Sequence, residues 1–351
     1  MQYFRLLQFV QAGGFVRFAV LSLTVVLAMA SFSMAQAADV VRVGALRFTS
    51  SAPIFIAYER GYFRDEGIDI EFKFFQGAQP VAVAIASGDV DVGLTALSAG
   101  FFNLAGKGAL KVIGGHMHEE AGYDGSAVLA SNQAYADGFT SVGKIRGRSL
   151  GITQVGSSFH YMAGQIAERE GFPLSEIKLR PLQKVGAVIA ALKSGQVDAM
   201  IIVPHIARDL DRAGAAKIVG WVYDYAPYQV TTLFTSTDNV ANRAELLKRF
   251  VKAYQRGIAD YRAVLLTKDK DRAKVDEMLK LIHKYVYADK PFEKVAGSIE
   301  AGAIYVNEAA RLDVGDVYKQ LAWFQKEGLV DAGVQARAIV DLGFVEGYNL
   351  P

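Results

Sequence analysis

The chain has 351 residues, 52% of them apolar, with 38 lysines and arginines against 36 aspartates and glutamates, and no cysteine. That length suits two domains of ordinary size with sizeable cores. The balanced charge gives no reason to expect nucleic acid or an anionic membrane as a partner, and the absence of cysteine excludes disulfides, thiolate metal sites, a cysteine nucleophile and a lipid-modified cysteine.

Residues 1–37 read as an export signal. Arg5 and Arg17 give a positive start, Phe18 to Met29 form an apolar run, and Ala35-Gln36-Ala37 is a small-x-small cleavage site, with the cut placed after Ala37. An uncleaved anchor is the alternative, although the apolar run is short for crossing a bilayer. Without Arg5 and Arg17 the mature chain has 36 basic and 36 acidic residues. A cleaved signal with no lipid anchor predicts a periplasmic location.

After the signal, Val40 to Leu46 reads as a strand, Arg47 to Ala52 as its loop, and Pro53 to Gly61 as a helix with proline at its favourable start. Ile68 to Phe72 alternates as a half-buried strand. A helix from Pro80 ends at Gly88, and strand Val90 to Leu94 follows; Thr95 to Ser98 turns into a helix reaching Leu104, then comes strand Leu110 to Ile113. The segment from Gly114 to Gly122 has neither period and reads as a loop near a domain crossing.

Strand Ser126 to Ala130 leads towards a second series: strand Ser149 to Thr153, loop Gln154 to Ser158, helix Phe159 to Glu170, strand Ile177 to Leu182, and a helix ending at Gly195 before strand Val197 to Ile202. Trp221 to Tyr228 is an aromatic segment before strand Val230 to Ser236, where the chain crosses back. The remainder reads as amphipathic helices. Asn242 to Glu245 has the spacing of a helix N-terminus, Leu246 to Tyr261 carries one apolar stripe, and Lys274 to Tyr285 and Val314 to Lys326 follow. This tail is expected to pack around the first domain.

The two series are copies. Ser87-Gly88 and Val90-Asp91 recur as Ser194-Gly195 and Val197-Asp198, and Gly44, Ser50 and Ser51 recur as Gly151, Ser157 and Ser158, each 107 residues on. Two βαβ units of one design therefore stand in one chain. In each, a serine-bearing loop follows a strand and opens a helix, presenting backbone N–H groups beyond the strand's carboxyl end.

These words, with Tyr62-Phe63, Glu66-Gly67-Ile68 and Gly156 to His160, resemble the substrate-binding proteins of ABC importers, in the group that handles nitrate, sulfonates, taurine and thiamine-pyrimidine precursors. The resemblance spans essentially the whole mature chain. It implies a two-lobed α/β periplasmic binding protein fold (type II), with residues 38–123 and 229–351 as one lobe, 124–228 as the other, and a hinge of two crossing strands. It also implies a monomer that takes a small-molecule ligand in the cleft and delivers it to a permease and ATPase at the inner membrane. Ligand contacts are implied at Arg47, Ser50 and Ser51, at Thr95 and Ser98, at Gly156, Ser157 and Ser158, and at Pro204 and His205. Enzymes of this fold that make the thiamine pyrimidine use a cysteine-rich segment, which this chain lacks.

Several residues carry two readings. Ser157 and Ser158 suit an anionic head group at a helix start, or plain capping. Arg47 forks onto the same anion or lies solvated on the surface. His160 and His205 donate to ligand or find a local partner. Trp221 and Tyr223 stack on an organic body or are buried between lobes. His116 to Glu120 lack the spacing of a metal site, so no metal and no cofactor is expected. Asp91 and Asp198 belong to their own repeats and are assigned to a local turn or cap. No Ser-His-Asp order or phosphate loop is visible, so a non-enzymatic binder of a small organic anion, sulfonate or carboxylate, is expected. The alternatives are a pyrimidine-precursor binder and an enzyme on the same fold.

Overall fold

The computed structural model describes residues 38–350; the export signal expected at residues 1–37 lies outside them. Strand β1 (Asp39–Ala45) leads through a 3-10 turn at Thr49–Ser51 into α1 (Ala52–Glu59) and α2 (Tyr62–Asp65). Then come β2 (Ile68–Phe74), α3 (Ala78–Ala86), β3 (Val92–Ala96), α4 (Ala99–Gly106) and β4 (Leu110–Gly115). The second series comprises β5 (Ala127–Ala130), α5 (Asn132–Ala136), β6 (Ser149–Ile152), α6 (Ser158–Arg169), β7 (Lys178–Pro181), α7 (Val185–Lys193), β8 (Ala199–Ile202), α8 (Pro204–Arg212) and β9 (Lys217–Trp221). The chain returns as β10 (Thr231–Ser236), α9 (Thr237–Asn242), α10 (Ala244–Leu265), α11 (Arg272–His283) and α12 (Phe292–Ala301). It closes with β11 (Leu312–Asp313), α13 (Val314–Lys326) and β12 (Gly347–Tyr348).

Two five-stranded sheets result, ordered β2-β1-β3-β10-β4 and β7-β6-β8-β5-β9. In both, the first three strands are parallel, and the strand delivered by a crossing, β10 or β5, runs antiparallel to its neighbours. This is the two-lobed α/β architecture expected from the duplication.

The repeat survives to the level of register. Val43 pairs Val92 and Gly44 pairs Gly93; 107 residues on, Leu150 pairs Ala199 and Gly151 pairs Met200. The shared glycine has a packing cause. A Cβ on Gly44 would sit 2.9 Å from Val81 and 3.2 Å from Val90, and one on Gly151 2.8 Å from Val188 and 3.3 Å from Val197. Only a residue without a side chain lets the helix lie this close on the strand.

Four sequence expectations need correction. Asp91 and Asp198 are not turn or cap residues but cross-strand ties: Asp91 accepts the Arg42 N–H at 2.8 Å, and Asp198 accepts the Ser149 N–H at 2.8 Å. Asp91 also receives the guanidinium groups of Arg42 and Arg243, at 3.0 and 2.9 Å. The helix start expected at Asn242 to Glu245 is present, since α10 begins at Ala244, but its cap is Arg243; Asn242 instead ends α9, its amide bonded to Asp238, with Ser236 capping that helix. The tail does not pack on the first lobe alone. On α12, Ser298 receives Arg212 of α8 at 3.1 Å, and Trp323 of α13 lies edge-on to His160 and Tyr161 of α6, each at 5.3 Å. Finally, α8, β9 and α12 form where the sequence reading placed no element, although α8 opens on Pro204, a favourable helix start, and is amphipathic.

Candidate functional site

Between the lobes lies a cavity in which the centre of a water-sized sphere has about 60 Å³ to move. One such sphere needs roughly 10–15 Å³, so the space suits a molecule of about four to six heavy atoms, or somewhat more with side-chain adjustment. Its walls follow the duplication. Leu46 and Thr153, Ser50 and Ser157, Ser51 and Ser158, Ala78 and Val185, and Ala96 and Val203 are pairs 107 residues apart, and all ten line it.

The pairing has a structural cause. Parallel strands end at the cavity and the following helices begin there, as open α/β sheets place their ligand sites. Ser51 precedes α1, Gly77 precedes α3, Ser98 caps α4, Ser157 caps α6, Val185 opens α7 and Val203 precedes α8, and each of these residues lines the cavity. Six helices, three from each lobe, thus begin at one space, so the positive ends of their dipoles lie around it. The capping bonds differ in quality: Ser98 Oγ accepts the Phe101 N–H at 3.1 Å, whereas Ser157 Oγ accepts that of His160 at 3.4 Å.

Apolar side chains fill the rest of the wall, chiefly Phe48, Leu94, Met117, Phe159, Met162 and Val230. Among the described residues no aspartate, glutamate, lysine or arginine lines the cavity. The one titratable side chain there, His116, is buried, and burial pulls its pKa down to about 4. Both its ring nitrogens are engaged, Nε2 by the carbonyl of Ser50 and Nδ1 by the Tyr254 hydroxyl at 2.5 Å. With Nε2–H donating to a carbonyl, Nδ1 accepts from the tyrosine.

The two lobes meet around the cavity rim. The Ala99 N–H donates to the Gly156 carbonyl at 2.8 Å, the Thr49 hydroxyl meets His205 Nδ1 at 2.9 Å, and the Gln154 amide bonds to Gln79. Gly156 has φ of +80°, the left-handed region, and a Cβ there would lie 2.6 Å from the Ala99 side chain. Its own N–H donates to His160 Nδ1 at 3.0 Å.

Of the residues singled out in the sequence, Ser50, Ser51, Thr95, Ser98, Ser157 and Ser158 line the cavity together. Gly156 and His160 stand one layer behind, shaping the loop that carries Ser157. Burial lowers the His160 pKa to about 4 and that of His205 to about 3, so both are neutral. His205 forms part of the contact between lobes, and Pro204 starts α8 without lining the cavity. Arg47 is turned away: its guanidinium lies 3.8 Å over the Phe74 ring and donates to the Tyr285 carbonyl at 3.2 Å. Trp221 and Tyr223 also stand outside, stacked on each other at 6.5 Å with Arg208 over the indole. Gln79, Gln154 and the starts of α3 and α7 were missed; extending the 107-residue offset to Ala78 would have found Val185.

The His116 to Glu120 segment follows β4, with Met117 and His118 bridged to Val306 and Gln229. His118 lies near Asp313 and Asp316, their ligand-type atoms all within 4.8 Å. These groups are already employed: His118 Nε2 faces Asp316 at 3.5 Å, Asp313 caps α13 by accepting the Asp316 N–H at 3.0 Å, and Asp316 accepts the Gln229 N–H at 3.0 Å. His118 and Asp316 thus pair beside that helix cap. Glu119 is fully buried, accepts the Ser126 N–H at 2.8 Å, and burial raises its pKa to about 7.

A family model described as NMT1/THI5 like matches residues 48–263. Among curated protein sequences none matches. The structure resembles the alkanesulfonate-binding protein SsuA from Xanthomonas axonopodis pv. citri bound to MOPS, with TM-score 0.69 and 16% identity over 88% of this chain and 100% of that one. It resembles the periplasmic nitrate-binding protein NrtA from Synechocystis PCC 6803, with TM-score 0.66 and 13% identity over 86% of each chain. It also resembles the desulfurization enzyme DSZB, with TM-score 0.59 and 14% identity over 87% of this chain and 97% of that one. At these identities the likeness shows the periplasmic binding protein fold, and that fold carries both binders and an enzyme.

Proposed function

The chain belongs to the NMT1/THI5-like family, and from that premise we propose that it is the periplasmic solute-binding component of an ABC importer, capturing a small organic anion and delivering it to a permease. Sulfonates and carboxylates are the classes in view. The observation that carries this reading is the convergence of six helix N-termini from two lobes on one small, largely apolar cavity. Such a site stabilises negative charge through N–H groups and hydroxyls while its hydrocarbon wall takes an organic body.

The lobes comprise residues 38–123 with 229–351 and residues 124–228, and they close on the ligand by bending near Gly122 to Ser126 and Ala226 to Thr231. A non-catalytic role is favoured because His116 has both ring nitrogens occupied, leaving it no free base for a cavity serine. A pyrimidine precursor is the second reading, supported by the neutral wall and by the aromatic rings of Phe48 and Phe159.

A thermal-shift screen of the mature chain tests the proposal with alkanesulfonates, taurine, aromatic carboxylates, nitrate and aminopyrimidines. A true ligand at 100-fold excess over its Kd stabilises by about 2.7 kcal/mol. A shift with sulfonates or carboxylates is expected; a shift with aminopyrimidines alone overturns the anion assignment, and turnover of a bound compound overturns the non-catalytic one.

A further inference from the structure

We infer that this cavity selects monoanions with an uncharged apolar body, and rejects both dianions and amino-substituted anions of the same size. The inference rests on the anion reading above and deepens it. Its basis is the composition of the whole wall.

No lysine or arginine lines the cavity among the described residues, so a second negative charge would meet only hydroxyls, amides and helix ends. Arg47, between the lining residues Leu46 and Phe48, is held over Phe74 and on Tyr285, and Lys184, which directly precedes the lining residue Val185, is exposed and not itself part of the wall. No aspartate or glutamate lines it either, so an ammonium group would find no counter-charge. Glu119 sits behind Ser126 with Oε1 accepting the Ser126 N–H, and it is not part of the wall. His116 is neutral and has no free nitrogen to offer. An ion buried without a partner loses its hydration with nothing in return. One charge is served by the helix N-termini, and the rest of a bound ligand meets the apolar side chains of Phe48, Met117, Phe159 and Met162, which reward hydrocarbon alone.

The test uses ligand pairs matched in heavy-atom number, measured by calorimetry on the full mature chain. Methanesulfonate is compared with sulfate, propane-1-sulfonate with taurine, and butyrate with β-alanine. The inference expects the second member of each pair to bind at least about 30-fold more weakly, a modest figure for an unpartnered buried charge. A smaller gap in any pair whose first member binds overturns the inference and leaves the anion reading standing. Binding of an aminopyrimidine with none of the six anions overturns the anion reading and this inference together, as does a failure of all six anions to bind.

Discussion

Replacing Gly156 by alanine isolates the contact between lobes. Gly156 sits at φ of +80° with its carbonyl bonded to the Ala99 N–H at 2.8 Å, and a new methyl group would lie 2.6 Å from the Ala99 Cβ. The left-handed backbone costs a non-glycine residue about 1–2 kcal/mol, and forcing a methyl group into filled space adds about 1–3 kcal/mol. Gly195 provides the control: its φ is +72°, yet nothing lies within 4 Å of an added Cβ. Gly195→Ala should therefore cost the backbone term alone, and the difference between the variants is the cross-lobe term. Because that overlap is relieved by moving the lobes apart, it should appear as weaker ligand binding, by about 5- to 150-fold for 1–3 kcal/mol. Thermal melting gives the stability of both variants, and calorimetry with the tightest ligand from the screen gives affinity. Gly156→Ala binding within two-fold of the parent, or equal affinity losses in both variants, would refute the reasoning.

Glu119 sets a pH dependence. Burial raises its pKa from 4.5 to about 7, so its contribution is fully present below the unfolded value of 4.5 and is lost as pH rises through about 7, by about 3 kcal/mol. Glu119→Gln should flatten that fall relative to the parent in melts between pH 4.5 and 8, and parallel curves would contradict the assignment. His116, His160 and His205 act in the opposite sense, since each is held neutral with a pKa of about 4, 4 and 3. Their stabilisation is present above the unfolded value of 6.5 and is lost as pH falls through those folded values. The two cross-strand ties should also differ. Asp91→Ala strands Arg42 and Arg243 and should cost roughly 2–4 kcal/mol after discounting their partial exposure, whereas Asp198→Ala removes bonds from Ser149 alone and should cost about 1–2 kcal/mol. Denaturant melts that rank them the other way would contradict the ion-pair account.

The sequence by itself determined the duplication, the two α/β units and the serine loops of the site, because these rest on local signals: glycine at a helix end, apolar spacing, and words repeated at one offset. The same offset governs the register of β1 on β3 and of β6 on β8, since Gly44 and Gly151 answer the same packing need. Tertiary structure decided what local signals cannot carry. Arg47 stands next to the first serine loop, yet its direction depends on Phe74 and Tyr285, the latter 238 residues away. Trp221 and Tyr223 were equally suited to ligand or lobe packing until the crossing placed them outside the cavity. His116 reaches Ser50 and Tyr254, and Trp323 reaches His160, only because two crossings fold distant segments onto one another. The neutrality of the cavity wall has both origins: residues 75–106 hold only Asp89 and Asp91 and residues 149–167 no charged side chain, while the fold turns Arg47 away from a space where an unpaired ion would cost much.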